Sequence, residues 1–566
     1  MDEQREVKKE YNNSFKAQNQ INKSIFGKDN DVSNNFLAVS QEFYIGIQEN
    51  KKFSMVSKWD IEVGNINDEL SYKNRNIKLM GREQELQWIQ KFLDSPQLFK
   101  VSAINGAAGI GKSRLVYEFY NYNTQSDWLI QALNHKNLLK LDYDSILVSM
   151  EMLGKQNILF VIDDVLYSAN DIGEWILNLY KEHDLQPNIK IRILLLEREK
   201  VSIEKKPYWF IGIENSCKCL SHEYFNYKDF LMLEALDDNI LIDVFVEYVN
   251  AKKNNIDTNL AREKAGEIIR NLDVKSKNPL IIMYVADAWL RNPERMTWSR
   301  NEALDYIIEK ENERLESVCS KDAELIRCVE KVCMFSIAVN EIGYKKNAPE
   351  FLQKDFEQIS EKTRGRRIRS IFETIGCCKE ELEIKLHLPE IVKEYYLLKY
   401  LENKIEEEWE EEYVQEFIQQ AWLVNSEGFS KLISRIVNDF TYHSMVSFKR
   451  ILAEPHNLER KNIIGYSDIL REYSYYNEHI EKYYLKVVQY FDKNMKKNED
   501  KDFRKILCDN YAVTLFNMAW WYRKRGILSD KAQEIVNKIN TMCKSEESGK
   551  WCMICRGIYA LYREKG

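Results

Sequence analysis

The sequence predicts a multidomain protein with an α/β core, in which helices cover both faces of a parallel sheet, followed by mostly helical domains. Its 566 residues are too many for one hydrophobic core, since domains average about 150 residues. The chain is 44% hydrophobic but contains eight prolines and 20 glycines, which favours a folded, helix-rich protein. Between residues 78 and 235, short apolar strands alternate with helices, which is typical of a parallel sheet.

A helical pattern that begins at Glu83 leads into 99–105, the first predicted buried strand. The remaining predicted elements of the core are helices at 113–120, 143–153 and 170–179 and strands at 128–130, 158–162 and 191–196. After about residue 235 the strand patterns mostly stop. We expect helices from there on, with Pro279 and Pro293 acting as helix breakers.

The charge and the apolar pattern exclude several classes of protein. With 82 Lys and Arg against 89 Asp and Glu, the net charge is −7, so no overall basic field attracts nucleic acid or an anionic membrane. No apolar run approaches the roughly 18 residues that cross a bilayer, and the N-terminus has no apolar signal core. Eleven cysteines are scattered without a disulfide pattern. We expect a cytoplasmic protein.

The strongest motif directly follows the first predicted strand. Residues 106–113 fit Gly-x-x-x-x-Gly-Lys-Ser, and the glycines allow backbone N–H groups to surround a phosphate at a helix N-terminus. Lys112 is placed to reach the β- and γ-phosphates, and Ser113 offers a hydroxyl to Mg²⁺. The residues predicted here to contact a nucleotide are Gly106, Ala107, Ala108, Gly109, Ile110, Gly111, Lys112, Ser113 and Arg114.

Two further strands end in charged residues that suit the same chemistry. The apolar run 158–162 is followed by Asp163 and Asp164. We expect Asp163 to hold Mg²⁺ together with Ser113, and Asp164 to orient the attacking water. The strand at 191–196 leads to Arg198, which we expect beside the γ-phosphate. The predicted catalytic residues are therefore Lys112, Asp163, Asp164 and Arg198.

These motifs resemble those of the STAND class of signal-transduction NTPases. That class is related to the NACHT and NB-ARC switch ATPases and, more distantly, to AAA+ and origin-recognition proteins. The segment Met80-Gly81-Arg82-Glu83-Gln84-Glu85-Leu86 is similar to the Gly-Arg-Glu-x-Glu-Leu segment of the class. The strand that ends at Arg198 resembles its sensor segment. The resemblance implies that Gly81 and Arg82 lie near the nucleotide.

The resemblance continues downstream. Residues 233–238 resemble the start of the helical lid, and 277–280 (Lys-Asn-Pro-Leu) resemble its Gly-x-Pro-Leu motif with lysine in place of glycine. The resemblance implies that Pro279 packs on the adenine. Residues 386–395 look like the end of a winged-helix domain, in which His387 falls near the position of a histidine that contacts the ADP β-phosphate. A histidine packed in the core is the alternative interpretation of His387.

The resemblance covers about residues 78–400 and implies a domain order. The predicted units are a polar, docking or effector-linked segment at 1–75, a nucleotide-binding domain at 76–235, a helical lid at 236–300, a winged-helix-like domain at 301–400, and a C-terminal helical region resembling tetratricopeptide repeats at 401–566.

By resemblance, the function is that of a switch that binds ATP or ADP with Mg²⁺ and hydrolyses ATP slowly. A protein ligand on the C-terminal helices would trigger oligomerisation or recruitment of an effector through the N-terminal segment, in bacterial signalling or anti-phage defence. Two alternatives remain. One is a DNA-binding origin-recognition-like ATPase that uses the basic cluster Arg364–Arg369, and the other is a scaffold that binds nucleotide without hydrolysis.

Overall fold

The computed structural model describes residues 77–537 with gaps, the longest at 199–207, 364–370, 373–382, 441–453, 495–509 and 523–533. Four sets of residues named above lie outside the described residues: the segment 1–75, Asp164, the cluster Arg364–Arg369 and His387.

The first part of the chain forms a five-stranded parallel sheet. Its strands are β1 (Phe99–Asn105), β2 (Trp128–Leu133), β3 (Asn157–Asp163), β4 (Lys190–Glu197) and β5 (Leu231–Met232), in the order β2-β3-β4-β1-β5. Strand β1 pairs with β4 from Phe99 opposite Ile191 to Asn105 opposite Glu197. The carboxyl ends of β1, β3 and β4 therefore lie side by side, and the phosphate-loop motif leaves the sheet at this edge.

Helices cover both faces of the sheet, as the sequence predicts. They are α1 (Glu83–Asp94), α2 (Lys112–Tyr122), α3 (Tyr143–Leu153), α4 (Ala169–Leu185) and α5 (Tyr208–Ser216). Because side chains alternate along a strand, Leu159 and Val161 pack with α1 and α2, while Ile158 and Phe160 pack with α3 to α5. Strand β5 and helix α5 were not among the predicted elements.

The described chain after residue 236 is almost entirely helical and shares one hydrophobic core. Its helices are α6 (Asp238–Lys252), α7 (Thr258–Asn271), α8 (Pro279–Arg291), α9 (Arg300–Val318), α10 (Ala323–Ala338), α11 (Glu350–Lys362), α12 (Glu390–Glu406), α13 (Glu411–Val424), α14 (Ser426–Asp439), α15 (Ile463–Tyr473) and α16 (Glu481–Asn494). A short antiparallel pair joins β6 (Ile342–Gly343) to β7 (Glu383–Ile384). Among the described helices, none has the length and apolar character needed to cross a bilayer.

One expectation about the helical part is wrong. Pro279 does not break a helix but begins α8, where its missing N–H removes no hydrogen bond and its fixed φ suits the first turn. The side chain of Asn278 caps this helix by accepting from the backbone N–H of Ile281 at 3.1 Å. Pro293 does follow a helix end, since α8 finishes at Arg291.

A fully buried arginine holds the amino-terminal edge of the sheet. Arg192 in β4 donates hydrogen bonds to the carbonyl groups that end α1 and lead into β1: those of Phe92, Leu93, Ser95, Gln97, Leu98 and its neighbour Ile191. Burial lowers the pKa of Arg192 to about 10. This arginine therefore supplies the donors that the last turn of α1 lacks within the helix.

Candidate nucleotide-binding site

The phosphate-loop motif forms a tight turn between β1 and α2. Gly109 and Gly111 have φ angles of +76° and +103°, in the left-handed region that favours glycine. A Cβ at Gly111 would meet no atom within 4 Å. The glycine there is thus needed for backbone conformation, and the space above it is open, as a loop that receives a phosphate requires.

Lys112 is folded back onto this loop. Its Nζ donates to the carbonyl oxygens of Gly106 at 2.8 Å and Ala107 at 3.2 Å, and the residue is 8% exposed. These bonds hold a positive charge against the first residues of the loop. A phosphate that enters the turn would compete with these carbonyl oxygens for the ammonium group.

The hydroxyl and carboxylate predicted to hold Mg²⁺ lie in contact. Ser113 Oγ donates to Asp163 Oδ2 at 2.6 Å, across 50 residues of sequence. Asp163 is exposed at the end of β3, and Ser113 lies in the first turn of α2. Both groups offer oxygen ligands, which Mg²⁺ prefers, and the residues present therefore fit a magnesium–nucleotide complex.

The loop packs directly against the start of helix α8. The backbone N–H of Leu280 donates to the carbonyl of Gly109 at 3.4 Å, and a Cβ on Gly109 would approach Asn278 Oδ1 to 2.7 Å. The structure thus brings Pro279 beside the loop. Lys277 has a φ of −77°, which does not require glycine, and its Nζ contacts Asp238 Oδ2 at 2.8 Å.

Gly81 and Arg82 link the loop to the start of the helical part. Gly81 has a φ of +64°, and a Cβ there would approach Ile240 Cδ1 to 2.5 Å. Arg82 Nη2 donates to the carbonyl oxygens of Glu234 at 2.9 Å and Ile110 at 3.4 Å. The guanidinium group of Arg82 therefore joins the loop to the segment that leads into helix α6.

Arg114, predicted from the motif, turns away along α2. Its Nη2 donates to the carbonyl of Ile77 at 2.7 Å and lies 3.0 Å from Glu118 Oε2. These contacts tie α2 to the chain ahead of α1. What the motif contributes at this position is the first turn of the helix.

Arg198 has a partner that the sequence does not indicate. Its Nη1 donates to Glu394 Oε1 in α12 at 2.8 Å, across 196 residues. The neighbouring strand-end residue Glu197 lies 3.8 Å from Arg435 of α14. No local pattern marks Glu394 or Arg435, since each reads as an ordinary charged residue on a helix.

A buried amide at the end of β1 was also missed. Asn105 is 0% exposed, and neither amide atom has a hydrogen-bond partner among the described residues. Glu197, in register with it on β4, is 1% exposed. A polar residue at the end of a predicted buried strand, directly before the loop, is the signal that could have found Asn105.

Comparisons with known proteins give distant structural similarities. No family model matches the sequence, and no curated protein matches it. Among solved structures, Cdc6p from Pyrobaculum aerophilum is 12% identical with a TM-score of 0.29, covering 57% of this chain and 95% of that chain. Domain III of the replication initiation protein DnaA from Thermotoga maritima is 14% identical with a TM-score of 0.25, covering 43% of this chain and 98% of that chain.

A third similar structure is C. elegans PCH-2, which is 11% identical with a TM-score of 0.27, covering 43% of this chain and 72% of that chain. The fold class rests on the sheet itself. The parallel order β2-β3-β4-β1-β5, with the glycine loop between β1 and α2, defines an α/β P-loop core, and predominantly helical domains follow it.

Proposed function

We propose that this chain is an ATP-dependent molecular switch of the STAND type, which binds ATP or ADP with Mg²⁺ and hydrolyses ATP slowly. One observation carries the proposal. Ser113 Oγ lies 2.6 Å from Asp163 Oδ2 at the end of the loop that Lys112 closes. Hydroxyl, carboxylate and ammonium groups thus converge at the N-terminus of α2, where the helix dipole also favours an anion.

Each residue has a proposed role in that site. The backbone N–H groups of 106–114 receive the phosphates, and Lys112 leaves the carbonyl groups of Gly106 and Ala107 to contact them. Ser113 and Asp163 hold Mg²⁺, which neutralises charge on the β- and γ-phosphates. Asp164 orients the attacking water, and Arg198 contacts the γ-phosphate.

The parts after the sheet support a switch. Helix α8 begins against Gly109, which suits a lid whose Pro279 packs on the adenine. The antiparallel pair of β6 and β7 among helices α10 to α12 suits a winged-helix-like domain at 301–400. The Arg198–Glu394 contact joins that part to the sheet. A ligand that prefers a rearranged form of these parts would shift the population toward it.

We extend the proposal to partners by resemblance to the class. A protein ligand binds the C-terminal helices at 401–566, the segment 1–75 recruits an effector protein, and ATP promotes assembly of several copies. The setting we propose is bacterial signalling or anti-phage defence in the cytoplasm. Binding to the C-terminal helices triggers the switch only if the ligand binds the open form more tightly than the closed form.

The test combines nucleotide binding with particle mass. Native chain and Lys112→Ala are titrated with fluorescent ADP, and their masses in solution are measured with ADP and with a non-hydrolysable ATP analogue. We expect the native chain to bind nucleotide and to grow to a defined oligomer with the analogue, and we expect Lys112→Ala to do neither. Binding that Lys112→Ala leaves intact would contradict the proposed site.

The two alternatives give different results in the same material. A DNA-binding ATPase would bind duplex DNA with strong salt dependence, and that binding would be lost when the Arg364–Arg369 arginines are changed to alanine. A scaffold that binds nucleotide without hydrolysis would release phosphate from ATP at the same background rate in the native chain and in Asp164→Asn.

A further inference from the structure

A network of buried and partly buried charges joins the carboxyl end of β4 to two distant helices. The side chains of Arg198 and Glu394, joined at 2.8 Å, are 15% and 0% exposed. Arg435 of α14 lies between the strand and α12, with Nη2 3.8 Å from Glu197 Oε1 and Nη1 4.0 Å from Glu390 Oε2. Glu197, the last residue of the strand, and Arg198, which follows it, therefore contact helices that are distant in sequence.

This network lies beside the phosphate loop. The carbonyl oxygen of Glu197 accepts a hydrogen bond from the backbone N–H of Gly106 at 3.2 Å, and Asn105 is in register with Glu197. Arg198, the next residue, therefore leaves the sheet at the level of the first glycine of the loop. The backbone of Arg198 thus lies at the level of the loop, and its guanidinium group contacts helix α12.

The Arg198–Glu394 contact is only half satisfied on the acidic side. Glu394 Oε1 accepts from Arg198, while Oε2 has no hydrogen-bond partner among the described residues, although the side chain is fully buried. Burial, together with Asp439 and Glu390, raises the pKa of Glu394 to about 7 against the attraction of Arg198. Desolvation thus offsets much of the ionic attraction, so the contact can be exchanged for a better one.

A terminal phosphate is such a partner, because it offers several charged oxygens where the carboxylate offers one bonded oxygen. We propose that Glu394 and the γ-phosphate of a bound nucleoside triphosphate compete for Arg198, so that the Arg198–Glu394 contact is a latch that the third phosphate opens. The inference rests on the proposed function and adds its regulation. With a diphosphate the latch stays closed and α12 stays on the sheet; with a triphosphate Arg198 turns to the phosphate and α12 loses its anchor.

Competition makes a specific prediction about affinities. Binding of a triphosphate requires free energy to break the Arg198–Glu394 contact, whereas binding of a diphosphate does not. A mutation that already breaks the contact removes this cost. We expect Glu394→Gln, which keeps the shape but removes the charge, to tighten binding of a non-hydrolysable ATP analogue by about fivefold or more. ADP affinity is expected to stay within about twofold of native.

The matched control is Glu402→Gln on the same helix. Glu402 also lies on α12, where its carboxylate is 3.8 Å from Lys399. It should leave both affinities unchanged. Glu394→Asp, which keeps the charge but shortens the reach to Arg198, should shift the analogue in the same direction as Glu394→Gln, and it serves if the glutamine variant does not fold.

A double variant tests whether Glu394→Gln acts through Arg198 or by destabilising the fold as a whole. Arg198→Ala should bring the affinities for ADP and the analogue close together, and adding Glu394→Gln to it should change neither. Equal tightening of both nucleotides by Glu394→Gln, or an unchanged analogue affinity, would overturn the latch. If the native chain and Lys112→Ala bind nucleotide equally poorly, the proposed function itself fails; Lys112-dependent binding without an effect of Glu394 overturns the latch alone.

Discussion

Two arginines, one near the start of β4 and one directly after its end, make different kinds of contact. At the amino-terminal edge, Arg192 is fully buried and bonds to backbone carbonyl groups. At the carboxyl-terminal edge, Arg198 is partly exposed and bonds to the side chain of Glu394. Backbone acceptors are fixed by the fold, whereas a carboxylate on another helix can move away. Arg192 therefore stabilises the sheet, whereas Arg198 has a partner that a ligand could replace.

The segments that surround Arg192 and Arg198 also differ. The chain around Arg192 is local to the sheet: helix α1, the segment at 95–98 and β1. Around Arg198 the neighbours come from α12 and α14, and the buried amide of Asn105 has no partner among the described residues. The carboxyl ends of the strands therefore retain a buried polar group without a hydrogen bond in the described part of the chain, whereas all three guanidinium nitrogens of Arg192 are bonded.

The largest expected effect follows from removing the hydrogen bonds of Arg192 at the amino-terminal end of the sheet. Arg192→Leu leaves buried carbonyl groups without donors, and we expect it to lower the free energy of unfolding by about 3 to 5 kcal/mol. Arg198→Ala should cost about 1 kcal/mol, because the carboxyl group of Glu394 can take up a proton when its partner is removed. Urea unfolding of both variants measures this difference; equal losses would remove the distinction between the two edges.

The next effect is on nucleotide binding at the carboxyl end of the strands. Lys112→Ala should weaken ADP binding by about 100-fold, which corresponds to about 2.7 kcal/mol, because the loop loses its only side-chain cation among 106–113. The matched control, Lys100→Ala, removes a partly exposed lysine at the amino-terminal end of β1 and should leave the affinity unchanged. Fluorescence titration with labelled ADP measures both, and loss of binding in both variants would argue against a site at the carboxyl edge.

A smaller effect concerns the metal. Asp163→Asn keeps the hydrogen bond from Ser113 but removes the negative charge, so we expect the Mg²⁺-dependent part of nucleotide affinity to fall by about tenfold. In the presence of a chelator the variant should bind as the native chain does. Asp171→Asn, an exposed acid in the first turn of α4, is the control. An equal loss with and without Mg²⁺ would mean that Asp163 serves the loop rather than the metal.

The last effect is on the pH dependence of stability. Burial raises the pKa of Glu394 from its ordinary value of 4.5 to about 7. The folded chain then holds a proton that the unfolded chain has released, so the stability contributed by Glu394 is complete below pH 4.5 and falls as pH rises from about 4.5 to 7. Glu390, whose pKa Lys393, Arg198 and Arg435 lower to about 2 against the effect of burial, titrates below this window.

Thermal unfolding of the native chain and Glu394→Gln at pH 5 and pH 7.5 measures this contribution. We expect the native chain to lose more stability than the variant between the two values. If the native chain and the variant lose equal stability between the two pH values, Arg198 keeps Glu394 ionised at both. The Arg198–Glu394 ion pair would then be stronger than the burial of Glu394 indicates.

The sequence by itself determined the elements whose signals are local. Strand β1 and helix α3 coincide with the predicted 99–105 and 143–153, because their apolar patterns and flanking polar residues are contained in the segments themselves. The turn at 106–113 could also be predicted from the sequence, because the glycines that allow it lie within the motif itself. Helix α4 extends to Leu185, beyond the predicted 179, because His183 is buried against Phe99.

Only the tertiary structure decided the contacts between distant segments. The two-residue strand β5 exists because β1 offers it a free edge, and it is too short to leave a pattern in the sequence. Gly109 meets Asn278, and Arg198 meets Glu394, through chain folding that no local spacing encodes. Periodicity reports which side of an element is buried, but the partner that buries it is chosen by packing of the whole chain.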